Sequence, residues 1–200
     1  MTDPRSHWPL AGYDELRDRL LDAYSSPDRG YHDGRHLEEV LGRLDELLAV
    51  EGARVDRVAL LLAAWFHDAV YDGDADDEER SAELAADALA GFDTALAAEV
   101  ARLVRTTAAH RPEEDDLAGQ LLCDADLAIL ASDAERYADY AAGVRREYAA
   151  VSDPEFRKGR AAVLRGLLGK PTLFHSEHAR SAWEERARAN VARELAALEG

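Results

Sequence analysis

Seven histidines occur in 200 residues, and four of them fall in places where ligand-type side chains gather: Tyr31-His32-Asp33-Gly34-Arg35-His36, Trp65-Phe66-His67-Asp68, and His110. His32 and His36 are four positions apart, so a helix that already begins at His32 projects both imidazoles from one face. The His67-Asp68 doublet follows Val58-Ala-Leu-Leu-Leu-Ala-Ala-Trp-Phe66, the densest apolar stretch of the chain, where it gives way to the acidic run Tyr71-Asp-Gly-Asp-Ala-Asp-Asp77. Asp126 lies in a third segment, Leu121-Leu-Cys-Asp-Ala-Asp-Leu-Ala-Ile-Leu130, apolar on both sides.

A carboxylate in such surroundings is costly unless it is paired or bound to a cation. A lone buried aspartate is more often a cap or a hydrogen-bond partner than a ligand. Four such residues in the order His, His-Asp, Asp on three helical segments point instead to one metal site made of His36, His67, Asp68 and Asp126. Two neutral imidazoles and two carboxylates form a mixed nitrogen and oxygen set, suited to one divalent transition metal ion (Mn, Fe, Ni, Co or Zn) rather than to the all-oxygen cages of Ca or Mg.

The elements that must position these residues are helices. Apolar residues recur every three or four positions, the alternation of β-branched residues that marks strands is missing, and turn residues punctuate the chain at helix-length intervals. The pattern predicts an all-α, single-domain helical bundle over residues 1–200. Its predicted helices are Tyr13 to Tyr24, Asp33 to Val50, Asp56 to Ala69, Glu78 to Ala90, Ala95 to Ala108, Leu117 to Leu130, Asp133 to Tyr148, one starting at Ser152-Asp-Pro-Glu155 and ending at Gly169-Lys-Pro171, and Glu177 to Leu198. No internal repeat and no low-complexity linker divides the chain.

Composition limits the partners. A net charge of -17, from 41 acidic against 24 basic residues, repels a polyanionic backbone, so no nucleic-acid polymer is expected. A small anionic substrate is compatible with it, because a pocket can hold positive groups that the net charge hides. Cys123 is the single cysteine, which excludes an internal disulfide and fits a reducing, cytoplasmic setting. The segment from Met1 to Trp8 lacks the basic-then-apolar pattern of a leader, and no stretch is apolar enough for a membrane span, so an unexported soluble protein is expected.

With these motifs in place, the sequence resembles the HD superfamily of metal-dependent phosphohydrolases, in particular a branch of about 200 residues. The resemblance runs from Trp8 to Leu195. It is carried by Arg29-Gly-Tyr-His-Asp-Gly-Arg-His36, Ala64-Trp-Phe-His-Asp-Ala-Val-Tyr71, Asp77-Glu-Glu-Arg-Ser-Ala82, Asp124-Ala-Asp-Leu-Ala-Ile-Leu130, Val144-Arg-Arg-Glu-Tyr148 and Ala187-Arg-Ala-Asn-Val191. It implies an HD-type bundle, metal ligands at His36, His67, Asp68 and Asp126, and hydrolysis of a phosphoester of a small metabolite or nucleotide by metal-activated water.

On that reading Asp68 serves catalysis, and Glu78 and Glu79, at the start of the helix after the doublet, are candidates to orient the water or protonate the leaving oxygen. Their ordinary role would be an acidic first turn. Arg29, His32, Arg80, His110 and Arg145 are candidates to hold phosphate, arginine because its planar fork matches phosphate oxygens. His110 is alternatively a ligand to a second metal, although one histidine between the doublet and Asp126 favours a single ion. Tyr137, Tyr140, Tyr148 and Trp183 are expected in the core, and His175 and His178 at the surface. No glycine-rich phosphate loop, no Gly-x-Ser-x-Gly elbow and no paired-cysteine motif occurs. Two other readings stay open, an HD-type di-iron oxygenase and a non-catalytic ligand-binding HD domain.

Overall fold

The computed structural model describes residues 3–51 and 54–200; Met1 and Thr2, at the head of the segment read for a leader, and Gly52 and Ala53 lie outside the described residues. Among the described residues there are nine α-helices and no strand. They are α1 (Asp14–Tyr24), α2 (Gly34–Glu51), α3 (Arg57–Phe66), α4 (Asp77–Leu89), α5 (Thr94–Thr107), α6 (Leu117–Leu127), α7 (Ala134–Glu147), α8 (Asp153–Leu168) and α9 (Glu177–Glu199), with short 3-10 turns at Pro4–His7 and Ala128–Ala131. The bundle is all-α, as the apolar periodicity predicts.

α3 is the axis of the core. Every residue from Ala59 to Phe66 is buried, and the helix packs against α2, α4, α5 and α6. Its start is fixed by Asp56, whose carboxylate accepts from the backbone N–H groups of Val58 and Ala59 at 2.9 and 3.1 Å. Asp93, Asp116, Asp133 and Ser176 cap α5, α6, α7 and α9 in the same way. One contiguous apolar cluster runs from Leu10 to Val191. Among the described residues no helix is long and apolar enough to cross a membrane.

Several helix boundaries differ from the predicted ones, most by a single residue, and three of the differences shape the site. α2 begins at Gly34 rather than Asp33, because the Asp33 carboxylate accepts from the N–H groups of Arg35 and His36 and acts as the cap. His32 therefore precedes the helix, and the shared helical face expected for His32 and His36 does not form. α3 ends at Phe66, three residues early, where the Ala69 N–H closes a tight turn onto the Phe66 carbonyl. The helix predicted to Leu130 stops at Leu127 and tightens into the Ala128–Ala131 turn. Asn190 of α9 donates to the carbonyls of Leu130 and Ser132 at 2.8 and 2.9 Å, replacing the helical partners those carbonyls lose.

Candidate metal centre

The structure brings the four predicted ligands together from three elements: the first turn of α2 (His36), the end of α3 (His67 and Asp68) and the last turn of α6 (Asp126). His36 Nε2 lies 3.0 Å from His67 Nε2, 3.2 Å from Asp68 Oδ2 and 3.3 Å from Asp126 Oδ1. His67 Nε2 lies 3.0 Å from Asp68 Oδ2 and 3.7 Å from Asp126 Oδ1. The tightest group is His36, His67 and Asp68, with ligand atoms all within 4.8 Å of one another; Asp126 joins it through its contacts to both imidazoles.

Local bonding aims these atoms inward. His67 Nδ1 donates to the Ala64 carbonyl at 2.8 Å, which fixes the tautomer and leaves the Nε2 lone pair facing the cluster. Asp126 is gripped from behind, its Oδ2 2.8 Å from His110 Nε2. Asp68 Oδ2 is the telling atom. It is buried and within 3.2 Å of both imidazoles, yet no ring N–H is directed at it and it has no hydrogen-bond partner. Two imidazole nitrogens and two carboxylate oxygens crowd one point, one of the oxygens without a hydrogen bond, and positive charge between them compensates that crowding. Their separations are those of neighbouring ligands around one ion at roughly 2.0–2.2 Å, so the residues fit a divalent metal.

Without that ion the cluster draws in protons. Burial disfavours charge on His36 and His67, but proximity to Asp126 and Asp68 outweighs it, so His36 is raised and His67 is held well above the ordinary imidazole value. Burial would also raise the two carboxyls. The positive charge of His67 and His32 holds Asp68 well below the carboxylate range, and contact with His110 and His36 does the same for Asp126.

The other candidate residues divide sharply. Arg29 donates to the carbonyls of His32 (2.7 Å), Asp68 (2.7 Å) and Ala69 (3.1 Å) and lies over the Tyr24 ring. It braces the doublet and closes the early end of α3, so its role is in place of the phosphate contact expected of it. Arg80 is paired with Asp72 and Asp77, and Arg145 with Asp153 and the carbonyls of Tyr148 and Val151. Neither reaches the cluster.

Glu79 is held by Arg105 of α5 on the exposed surface, and half-buried Glu78 makes no hydrogen bond or ion pair with the cluster. The acidic loop instead folds around Asp77, which accepts from the N–H groups of Asp72, Gly73 and Asp74. Neither glutamate is brought to the site, because α4 turns its first residues to this loop and to α5. His32 and His110 do flank the cluster. Two surface expectations are corrected: His178 is bonded to Glu46 and packs edge-on to Trp183, and His175 Nε2 is buried. Tyr137, Tyr140 and Trp183 are in the core, whereas Tyr148 is exposed at the rim of a cavity.

Sequence reasoning missed two residues that build the site. Glu147, the last residue of α7, accepts from the N–H groups of Gly30, Tyr31 and His32 with one oxygen and bonds His32 Nδ1 and the Tyr71 hydroxyl with the other. An acid in the last turn of a helix opposes the helix dipole, and that misfit was the available signal. Tyr31 packs its ring against His36, with centroids 4.7 Å apart, while its buried hydroxyl has no partner. Burial keeps that hydroxyl protonated, its pKa well above the usual tyrosine value.

Two cavities meet at Asp126. One, of about 260 Å³, is bordered by His36 and by Arg43, Arg136 and Arg186. The other, of about 560 Å³, lies between Asp126 and α7 and α8. Compared with protein-family models, curated proteins and solved structures, the chain matches none.

Proposed function

We propose that this chain is an HD-type, metal-dependent phosphohydrolase acting on a phosphoester of a small molecule. The observation that carries the reading is the convergence of His36 Nε2, His67 Nε2, Asp68 Oδ2 and Asp126 Oδ1, with Asp68 Oδ2 buried and lacking any hydrogen bond. The four residues would hold one divalent transition metal, which supplies acidification of water and polarisation of a phosphoryl oxygen.

The chain's own groups do the rest. His67 is oriented by the Ala64 carbonyl and Asp126 by His110, so the ligand atoms keep their direction. The Tyr31 hydroxyl, neutral and unpartnered on a ring packed against His36, would donate to an oxygen of the bound ester. The Glu147–His32 pair fixes the loop that carries Tyr31.

The test is hydrolysis of a broad phosphoester panel by protein reconstituted with Mn, Co, Ni, Fe or Zn, alongside metal content by mass spectrometry. Turnover with at least one metal, lost in Asp68→Ala, is expected. Absence of both retained metal and turnover under every condition would overturn the reading.

A further inference from the structure

The 560 Å³ cavity beside Asp126 is far larger than a phosphate needs and falls within the roughly 300–1,000 Å³ of ordinary ligand pockets. Its chemistry is asymmetric. At one end stand His32, His110, Asp126 and the unpartnered Tyr31 hydroxyl; beyond them the walls are side chains such as Leu127, Leu130, Val144, Phe156 and Leu167. The rim is open to solvent at Tyr148 and Val163, 41% and 56% exposed.

Most polar groups along the walls are already bonded within the protein, the Tyr148 hydroxyl at the open rim apart. Arg160, the only arginine or lysine lining this cavity among the described residues, is ion-paired with Glu194 and gives Nε and Nη2 to Glu194 and the Tyr140 hydroxyl. Tyr71 is bonded to Glu147, and Glu155 to Ser152. A polyphosphate would find the one wall cation here already neutralised by Glu194, and a nucleoside would leave most of its base edge and ribose hydroxyls without partners against mainly apolar walls, which an apolar body of equal size does not.

We infer that the substrate is a phosphomonoester of an apolar alcohol, its phosphate at the His36–His67–Asp68–Asp126 cluster and its nonpolar body in the cavity between Asp126 and α8. This rests on the phosphohydrolase reading. Hydrolysis by water then cleaves the ester, releasing inorganic phosphate and the free apolar alcohol, which takes up the proton.

Binding of non-hydrolysable phosphonates to manganese-loaded protein, measured by titration calorimetry, tests the inference apart from turnover. Octylphosphonate is expected to bind at least about a hundredfold more tightly than methylphosphonate, since each buried methylene adds affinity, and more tightly than a nucleoside phosphonate. Two variants probe the cavity. Gly159, in α8, lines the cavity and an added Cβ there meets nothing within 4 Å, so Gly159→Phe adds a bulky ring at the cavity wall with no clash at Cβ. Val163→Asp places a charge at the open rim.

Each variant should cut the preference for octylphosphonate about tenfold or more, with helical circular dichroism and the metal-to-protein ratio unchanged. Octylphosphonate binding within about threefold of methylphosphonate, or weaker than the nucleoside phosphonate, overturns the inference. If nucleotides or methyl phosphate are hydrolysed as efficiently as octyl phosphate, the phosphohydrolase reading stands and the apolar substrate falls. If octylphosphonate binds tightly and loses its preference in Gly159→Phe but no ester is hydrolysed with any metal, the ligand class stands and the hydrolytic reading falls.

Discussion

Glu147→Gln isolates how much the ordering of the Gly30–His32 loop depends on one carboxylate. The wild-type side chain accepts from three backbone N–H groups through Oε1 and bonds His32 Nδ1 and the Tyr71 hydroxyl through Oε2. Burial works against its charge, but these partners, led by His32, lower its pKa from 4.5 to about 2. At 1.36 kcal/mol per pH unit that difference corresponds to about 3 kcal/mol of stability in the ionised form. Glutamine keeps the shape and one acceptor oxygen but loses the charge and turns an N–H₂ toward His32 and Tyr71. The variant should therefore unfold with up to about 3 kcal/mol less free energy near neutral pH, a fall in Tm of roughly 6–12 °C for a chain of this length.

The sign of the pH dependence follows from the lowered pKa. The wild-type advantage is fully present above pH 4.5, the unfolded value, and is lost as pH falls toward about 2. Urea unfolding followed by circular dichroism, across that acid range and at neutral pH, measures both quantities. A difference under about 0.5 kcal/mol at neutral pH, or one that persists undiminished at the acid end, would refute the reasoning.

Two further outcomes follow from packing and from metal linkage. Gly143→Ala would put a Cβ 2.6 Å from the Gly30 carbonyl oxygen and 3.0 Å from Tyr31 Cβ; it should cost about 1–3 kcal/mol, whereas Gly159→Ala, whose Cβ meets nothing within 4 Å, should stabilise by up to about 1 kcal/mol. Thermal melts of the pair decide it, and equal melting temperatures would show that the loop yields freely. Metal affinity should rise with pH, because the metal-free imidazoles of His36 and His67 hold protons above their ordinary value of 6.5 while Asp68 and Asp126 are already ionised. Calorimetry in buffers of different ionisation enthalpy should show proton release on manganese binding, and no release would contradict the protonation derived for the free site.

How far the sequence disclosed this arrangement depended on whether each residue's neighbours lie along the chain or across it. The helices were legible because their apolar spacing and their caps, Asp56 and Asp133 among them, are local. The four ligand-type residues were legible for a different reason. Burying His67, Asp68 and Asp126 among apolar neighbours makes little sense unless something compensates their polarity, so their types betrayed a cluster before any distance was known.

What could not be read was which charged groups other parts of the protein would claim. Arg29, Arg80, Arg145 and Glu79 look alike as free ionic residues, yet each is engaged by a carbonyl or an opposite charge, in some cases distant along the chain. Glu147 shows the converse. Its three N–H partners lie more than a hundred residues away, and a side chain that orders the loop before His36 looked like an ordinary helix-terminal acid. The early end of α3 has the same origin, since the Asp68 and Ala69 carbonyls leave the helix to meet Arg29 from the far side of α2 in the sequence. Local periodicity thus specifies where the four clustered side chains are mounted, while hydrogen bonds from distant residues to the backbone decide where the mounts stop, as Arg29 does at the end of α3.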